Sequence, residues 1–247
     1  MLPQLPAFTR PAVVIFNKTN GFRHDEAIPA ADQVFSDLAA ENGWDVFVTD
    51  DAQVHEAHVL DKFQLVIWNN VSGDVLTLAQ RESLRRWLES GGGWLGVHGS
   101  GGDLSYDWDW YVNTLIGAQF HGHTLDPHLQ DALLLAADSA HPLTTHIDTP
   151  LLIPTEEWYA FASNPRNKGY EILLTLDKSS YITKGEISPG WIDDMAGEHP
   201  QVWCHYLEKG RVFYSAIGHQ PATYELPEYR ELLNRAMQWA IAESLAL

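Results

Sequence analysis

Four short apolar runs, AVVIF (12–16), WDVFVT (44–49), QLVIWNN (64–70) and GWLGVH (93–98), alternate with stretches patterned at helical spacing. This alternation constrains the fold more than any other feature of the chain. The first of the four, AVVIF, is a continuous apolar run, the pattern of a strand buried on both faces, which occurs in parallel sheets covered by helices on both sides. Between the first two runs, Ile28, Ala31, Val34, Phe35, Leu38 and Ala39 recur with helical period from Glu26 to about Asn42, where Asn42-Gly43 supplies a stop. Between the third and fourth, LTLAQRESLRRWLES reads as an amphipathic helix with Leu78, Leu84, Trp87 and Leu88 on its apolar face, ended by Gly91. Short connections between such elements predict an α/β fold with a mostly parallel sheet.

From Ser105 to about Gly197 the pattern is less regular. DWDWYVNTLIGAQF reads as helical, LQDALLLAAD and EILLTL as strands, and prolines at 127, 142, 150, 154, 165 and 189 interrupt the region. It is expected to be an elaboration within a single domain spanning 1–247, an irregular insertion around 105–197. QVWCHYL and RVFYSAI then read as strands joined by the turn EKG, followed by a helix from about Pro227 to Ala242.

Charge narrows the partners. A formal net charge of -18, with no lysine- or arginine-rich run, opposes binding to nucleic acid or to an anionic membrane. No apolar run approaches the roughly 20 residues needed to span a bilayer. The start MLPQLPAFTRP lacks the basic and apolar segments of a signal peptide, so a cytoplasmic location is expected. The single cysteine, Cys204, cannot form an intramolecular disulfide. Neither a phosphate-binding loop nor a dinucleotide fingerprint occurs, so no nucleotide cofactor is expected. Homo-oligomerisation stays open.

In open α/β sheets ligands bind outside the carboxyl ends of the strands. The residues following each predicted strand are therefore the candidates: Arg23 and His24 after the first, Asn69 and Asn70 after the third, His98 after the fourth, and Gly218 and His219 after RVFYSAI. Three histidines from distant parts of the sequence thus fall on one edge. G-V-H-G-S has the form of a strand-to-helix elbow, whose flanking glycines expose the central side chain. With imidazole at the apex, the roles on offer are base, hydrogen-bonding anchor or metal ligand. Ser100 lies beside the apex, and nucleophilic catalysis by it is a minor alternative. H-G-H at 121–123 would put His121 and His123 on one face of an extended segment, a chelating pair to which Glu156 or Glu157 would add oxygen. His55, His58, His128, His141 and His146 are expected on the surface. Trp108, Trp110, Trp158 and Tyr159 offer flat faces for a sugar, with Asn69, Asn70 and Arg23 binding its hydroxyls.

Together GFRH (21–24), GGGWLGVHG (91–99), FHGH (120–123), EEWY (156–159), PQVWCHYLEKGRVFYSAIGH (200–219) and a terminal helix ending in MQWA resemble the ThuA-like (trehalose-utilisation) proteins. That family's fold is related to the class I glutamine amidotransferases. The resemblance covers nearly the whole chain and implies a flavodoxin-like sheet with the elbow at 96–100. It also implies a role in carbohydrate metabolism, on a sugar or an oxidised (3-keto) sugar. The elbow cysteine of the amidotransferases is replaced here by His98, and Cys204 falls within a late predicted strand, so glutamine hydrolysis is not expected.

The resulting expectation is a hydrolase, lyase or isomerase acting on a small carbohydrate. His98, His24, His219 and Glu157 are its catalytic candidates, and Arg23, Asn69, Asn70, Trp108 and Tyr159 its substrate-binding candidates. A divalent metal such as zinc would be held by His24, His98, His121, His123 and His219; without a metal, the imidazoles would act as general acid and base. The rival reading is a non-catalytic sugar-binding or regulatory module on a scaffold that has lost its nucleophile.

Overall fold

A computed structural model describes residues 3–138, 140–183 and 197–242. The first half alternates strand and helix: β1 (Ala12–Phe16), α1 (Ala27–Glu41), β2 (Asp45–Thr49), the single turn α2 (Ala57–Leu60), β3 (Leu65–Asn69), α3 (Leu78–Glu89) and β4 (Gly93–Val97). Next come a π-helical segment, Tyr111–Ile116, and the strands β5 (Phe120–Gly122), β6 (Gln130–Ala136), β7 (Leu151–Glu156), β8 (Ala160–Phe161) and β9 (Glu171–Leu176). The chain closes with β10 (His199–Leu207), β11 (Gly210–Ser215) and α4 (Pro227–Ile241).

Nine strands form one sheet in the order β2-β1-β3-β4-β11-β10-β9-β6-β7, with β5 and β8 as a separate pair. From β2 to β11 all neighbours are parallel, which is the flavodoxin-like order. The elaborated middle region, with β10, continues the sheet by antiparallel pairing. Side chains alternate across it, so each strand feeds two cores. Val13, Ile15, Leu65, Ile67, Leu95, Val97 and Phe213 pack with α1 and α4 on one face. Val14, Phe16, Val66, Trp68, Trp94, Val212 and Tyr214 pack with α2, α3 and the π-helical segment on the other. Burial on both faces is why these strands read as unbroken apolar runs, each large side chain contributing about 1.5–3 kcal/mol.

Two local expectations are corrected and one strand is added. DWDWYVNTLIGAQF is helical only over Tyr111–Ile116, and with π geometry. β7, hidden in the sequence by Pro154 and the exposed Thr155, is an edge strand, where the missing amide hydrogen of proline is tolerated. Leu78 is 79% exposed, because the buried stripe of α3 runs through Arg81, Leu84 and Leu88. Arg81 is accepted there because its guanidinium pairs with Asp74 at 2.8 Å and donates to the backbone oxygens of Leu76 and Asp107. Pro189 and its neighbours at 184–196 lie outside the described residues. No helix among the described residues is long and apolar enough to cross a membrane.

The strand order reverses at β1, since β2 lies on one side of it and β3 on the other. The loops after β1 and β3 leave the sheet there side by side, tied by a bridge between Thr19 and Ser72, by the Asn20 and Gly21 amides donating to the Ser72 carbonyl, and by the Ser72 hydroxyl donating to the Phe22 carbonyl. A crevice opens there.

Candidate functional site

His98 follows β4 at φ 40, in the left-handed region, which turns its side chain off the strand toward His24 and His219. Its ring is anchored on both nitrogens. Nδ1 lies 2.7 Å from the carbonyl oxygen of Ala216, which can only accept, so Nδ1 carries the proton and Nε2 presents a lone pair. Tyr159 stacks on the ring with centroids 4.3 Å apart, and its hydroxyl lies 3.0 Å from Nε2. Gly99 follows because a Cβ there would come within 3.1 Å of the His24 ring.

Around this anchor the loops deliver two more imidazoles and a carboxylate. His219, after β11, places Nδ1 3.3 Å from His98 Nε2. Glu157, after β7, places Oε2 3.3 Å from His98 Nε2 and 3.5 Å from His219 Nδ1. His24, after β1, meets both rings edge-on at 4.7 and 5.1 Å. One ligand atom from each of His24, His98, Glu157 and His219 lies within 4.8 Å of the other three. Such a set of three imidazoles and one carboxylate has the donor types that bind zinc and similar divalent ions.

The electrostatics agree with that chemistry. Burial, and then the neighbouring His98 and His219, push His24 down to about 2, so it stays neutral. Its Nδ1 is buried without a hydrogen-bond partner. Burial opposes ionisation of Glu157, but hydrogen bonds from His128 and His219 and the adjoining His98 outweigh it and hold the carboxyl well below its usual range. Burial likewise opposes charging His219, but Glu157 and then Glu156 outweigh it and raise the imidazole. Glu156 is buried and structural: it accepts from the backbone amides of Glu157 (2.9 Å) and His219 (3.0 Å) and from the Thr223 hydroxyl (2.6 Å). It thereby fixes the loop after β7 to the loop after β11.

These groups face a cavity of ≈ 390 Å³, large enough for a small molecule. His24, Asp103, His123, His128, Glu157 and His219 form its polar wall, and Phe22, Phe120, Leu125 and Tyr159 its apolar one. Asp103 accepts from the Gly73 amide, and burial raises its pKa.

Several candidates from the sequence fall elsewhere. His121 is exposed while His123 is buried, because the β5–β8 pairing shifts register between Phe120 and Gly122 and the two rings do not share a face. Asn69 and Asn70 are fully buried, Asn69 bonding Ile28 and Asp32, and Asn70 accepting from the Gly99 amide. They build the crevice walls without lining the cavity. Trp108 stacks with Trp110 and Tyr111 in a separate crevice, and Trp158 is buried in the core. Arg23 lines a neighbouring groove and pairs with Asp25 at 3.0 Å. Ser100 is buried, its hydroxyl donating to the Trp68 carbonyl at 2.7 Å. Cys204 is buried in β10, which pushes its thiol far up.

Two histidines assigned to the surface have buried partners. His55 is completely buried against Trp68, and His128 bonds to Glu157 in the cavity. His128 and Asp103 escaped the sequence reading. The available signals were the spacing of His128 five residues after His123, and the acidic residue closing GSGGD after the elbow.

The chain is similar to known proteins in sequence and in fold. The family model ThuA, trehalose utilisation, matches residues 12–240. A ThuA-like protein from Bacteroides uniformis has 25% identity and a TM-score of 0.79, with 97% of this chain and 95% of that chain covered. A ThuA-like protein from Parabacteroides merdae has 17% identity and a TM-score of 0.66, covering 94% and 90%. A cytoplasmic protein from Salmonella typhimurium shares the fold at 12% identity and a TM-score of 0.55, covering 91% and 97%. No curated protein matches the chain.

Proposed function

The chain belongs to the ThuA family of trehalose utilisation, which gives it a carbohydrate-related role, and from that premise we propose that it is a metal-dependent enzyme acting on a sugar or an oxidised (3-keto) sugar. The observation that carries the reading is the convergence of His24, Glu157 and His219, in the cavity wall, with the buried His98 behind them. A binding module for a neutral sugar has no need of two buried imidazoles and a third, half-buried one aimed at one another; a metal centre does. The orphaned Nδ1 of His24 and the lone pair of His98 Nε2 are the atoms a divalent ion would take up.

Such an ion supplies a Lewis acid, polarising a carbonyl or lowering the pKa of a water, which serves a hydrolase, lyase or isomerase alike. The protein's own groups do the rest. The Ala216 carbonyl fixes the tautomer of His98, as second-sphere partners of metal-binding histidines commonly do. Phe22, Phe120 and Leu125 take the C–H face of a sugar ring, and Asp103 accepts from its hydroxyls. The Tyr159 hydroxyl, beside His98 Nε2, is placed to hold or donate a proton at the reacting oxygen.

Elemental analysis of untagged protein tests this reading, together with His98→Ala and His219→Ala. Near-stoichiometric or higher divalent metal, lost from both variants along with turnover of keto-sugars, is expected. Metal-free protein whose thermal stabilisation by sugars is untouched in both variants would overturn it.

A further inference from the structure

Glu157 divides its carboxylate between two groups of imidazoles. Oε2 faces His98 and His219 at 3.3 and 3.5 Å, as above. Oε1 lies 3.4 Å from His123 Nε2 and bonds His128 Nε2 at still shorter range. His123, His128 and Glu157 thus form a second triad whose ligand atoms lie within 4.8 Å of one another, sharing its carboxylate with the first set.

The hydrogen bonding of His123 adds an independent reason. Its Nδ1 lies 2.8 Å from the carbonyl oxygen of Thr124, which can only accept, so Nδ1 carries the proton and Nε2 turns a lone pair toward Glu157. A lone pair facing a carboxylate oxygen is repulsive, and a cation between them makes the contact attractive. The triad His141, Glu171 and Cys204 provides the contrast. There Nδ1 of His141 accepts from the Leu143 amide, which leaves the proton on Nε2 to donate to Glu171 at 3.0 Å, so no imidazole lone pair faces the carboxylate.

We propose that Glu157 bridges two divalent metal ions, the second held by His123 and His128. The proposal rests on the reading above for the first ion and extends it. Carboxylate-bridged pairs of this kind sit about 3.5–4 Å apart and clamp two oxygens of one substrate. The second ion has only three protein donors, and the His128 side chain is 41% exposed, so its remaining positions open toward the cavity. The ligand suited to such a centre carries adjacent oxygens, a hydroxyl beside a carbonyl or a second hydroxyl, as a keto-sugar or a vicinal diol does.

The test uses the untagged protein reconstituted with zinc or manganese and freed of loose metal by gel filtration. Two ions per chain are expected in the native protein and one in His128→Ala, whose half-exposed side chain makes the change safe for the fold. His123→Ala, checked for native melting, should match it. The manganese form should give an exchange-coupled paramagnetic resonance spectrum that collapses to that of an isolated ion in either variant. One ion in both native protein and His128→Ala would overturn the second site and leave the first standing. Metal in neither would overturn both.

Discussion

At the scale of single residues, the backbone of His98 can be tested apart from its ring. At φ 40 any L side chain is strained and glycine is not, so His98→Gly should be more stable than His98→Ala by about 1 kcal/mol. Urea midpoints of the two variants measure this, and an alanine variant of equal or higher stability would contradict the turn. His55 makes a prediction on pH. Complete burial lowers it to about 3, against an ordinary value of 6.5, and the neutral ring accepts from the Trp68 indole at 3.0 Å. Between those values the unfolded chain binds a proton that the native state refuses. Its contribution is therefore fully present above about pH 6.5 and lost as pH falls toward 3, at up to about 1.4 kcal/mol per unit. His55→Gln keeps an acceptor but cannot titrate. The stability gap between native protein and variant should narrow from pH 8 to pH 5, and a constant gap would refute the assignment. Neither property was visible in the sequence, where His98 showed only its glycine neighbours and His55 looked like a loop residue.

At the scale of elements, the sequence located strands and helices well wherever one rule dominated. β1, β3 and β4 are apolar on both faces, and α1 and α4 carry clear stripes, that of α1 ended by Asn42-Gly43. α3 shows how close rules compete. At roughly 100° per residue, Leu78 sits about a quarter turn away from the Leu84–Leu88 stripe, and Arg81 falls inside it. Leu78→Glu should therefore change stability by less than about 0.5 kcal/mol, while Leu84→Ala should cost about 2–5 kcal/mol. Thermal or chemical denaturation of the two variants separates these outcomes; a large loss from Leu78→Glu would mean that α3 is rotated. β5, β7 and β8 were illegible because short edge or paired strands owe their existence to partners distant in the chain, not to their own pattern. The same dependence decided His121 against His123, since a register shift in a three-residue strand overrides simple alternation.

At the scale of the whole molecule, the sequence by itself determined the layered α/β architecture, because unbroken apolar strands separated by amphipathic helices have few ways to hide both sheet faces. It also determined that His24, His98 and His219 would meet on one edge. Parallel strands send their following loops the same way, so a residue's place just after a strand locates it in space. What only the tertiary structure decided is the part of the site outside that rule. Glu157, rather than Glu156, enters the cavity because the Glu156 carboxylate is consumed by two backbone amides that join the loops after β7 and β11. His128 joins it, and Asn69, Asn70 and Trp108 withdraw into packing. Those outcomes turn on register shifts and on which hydrogen-bond partners a buried group finds across long sequence separations, quantities that local pattern does not encode.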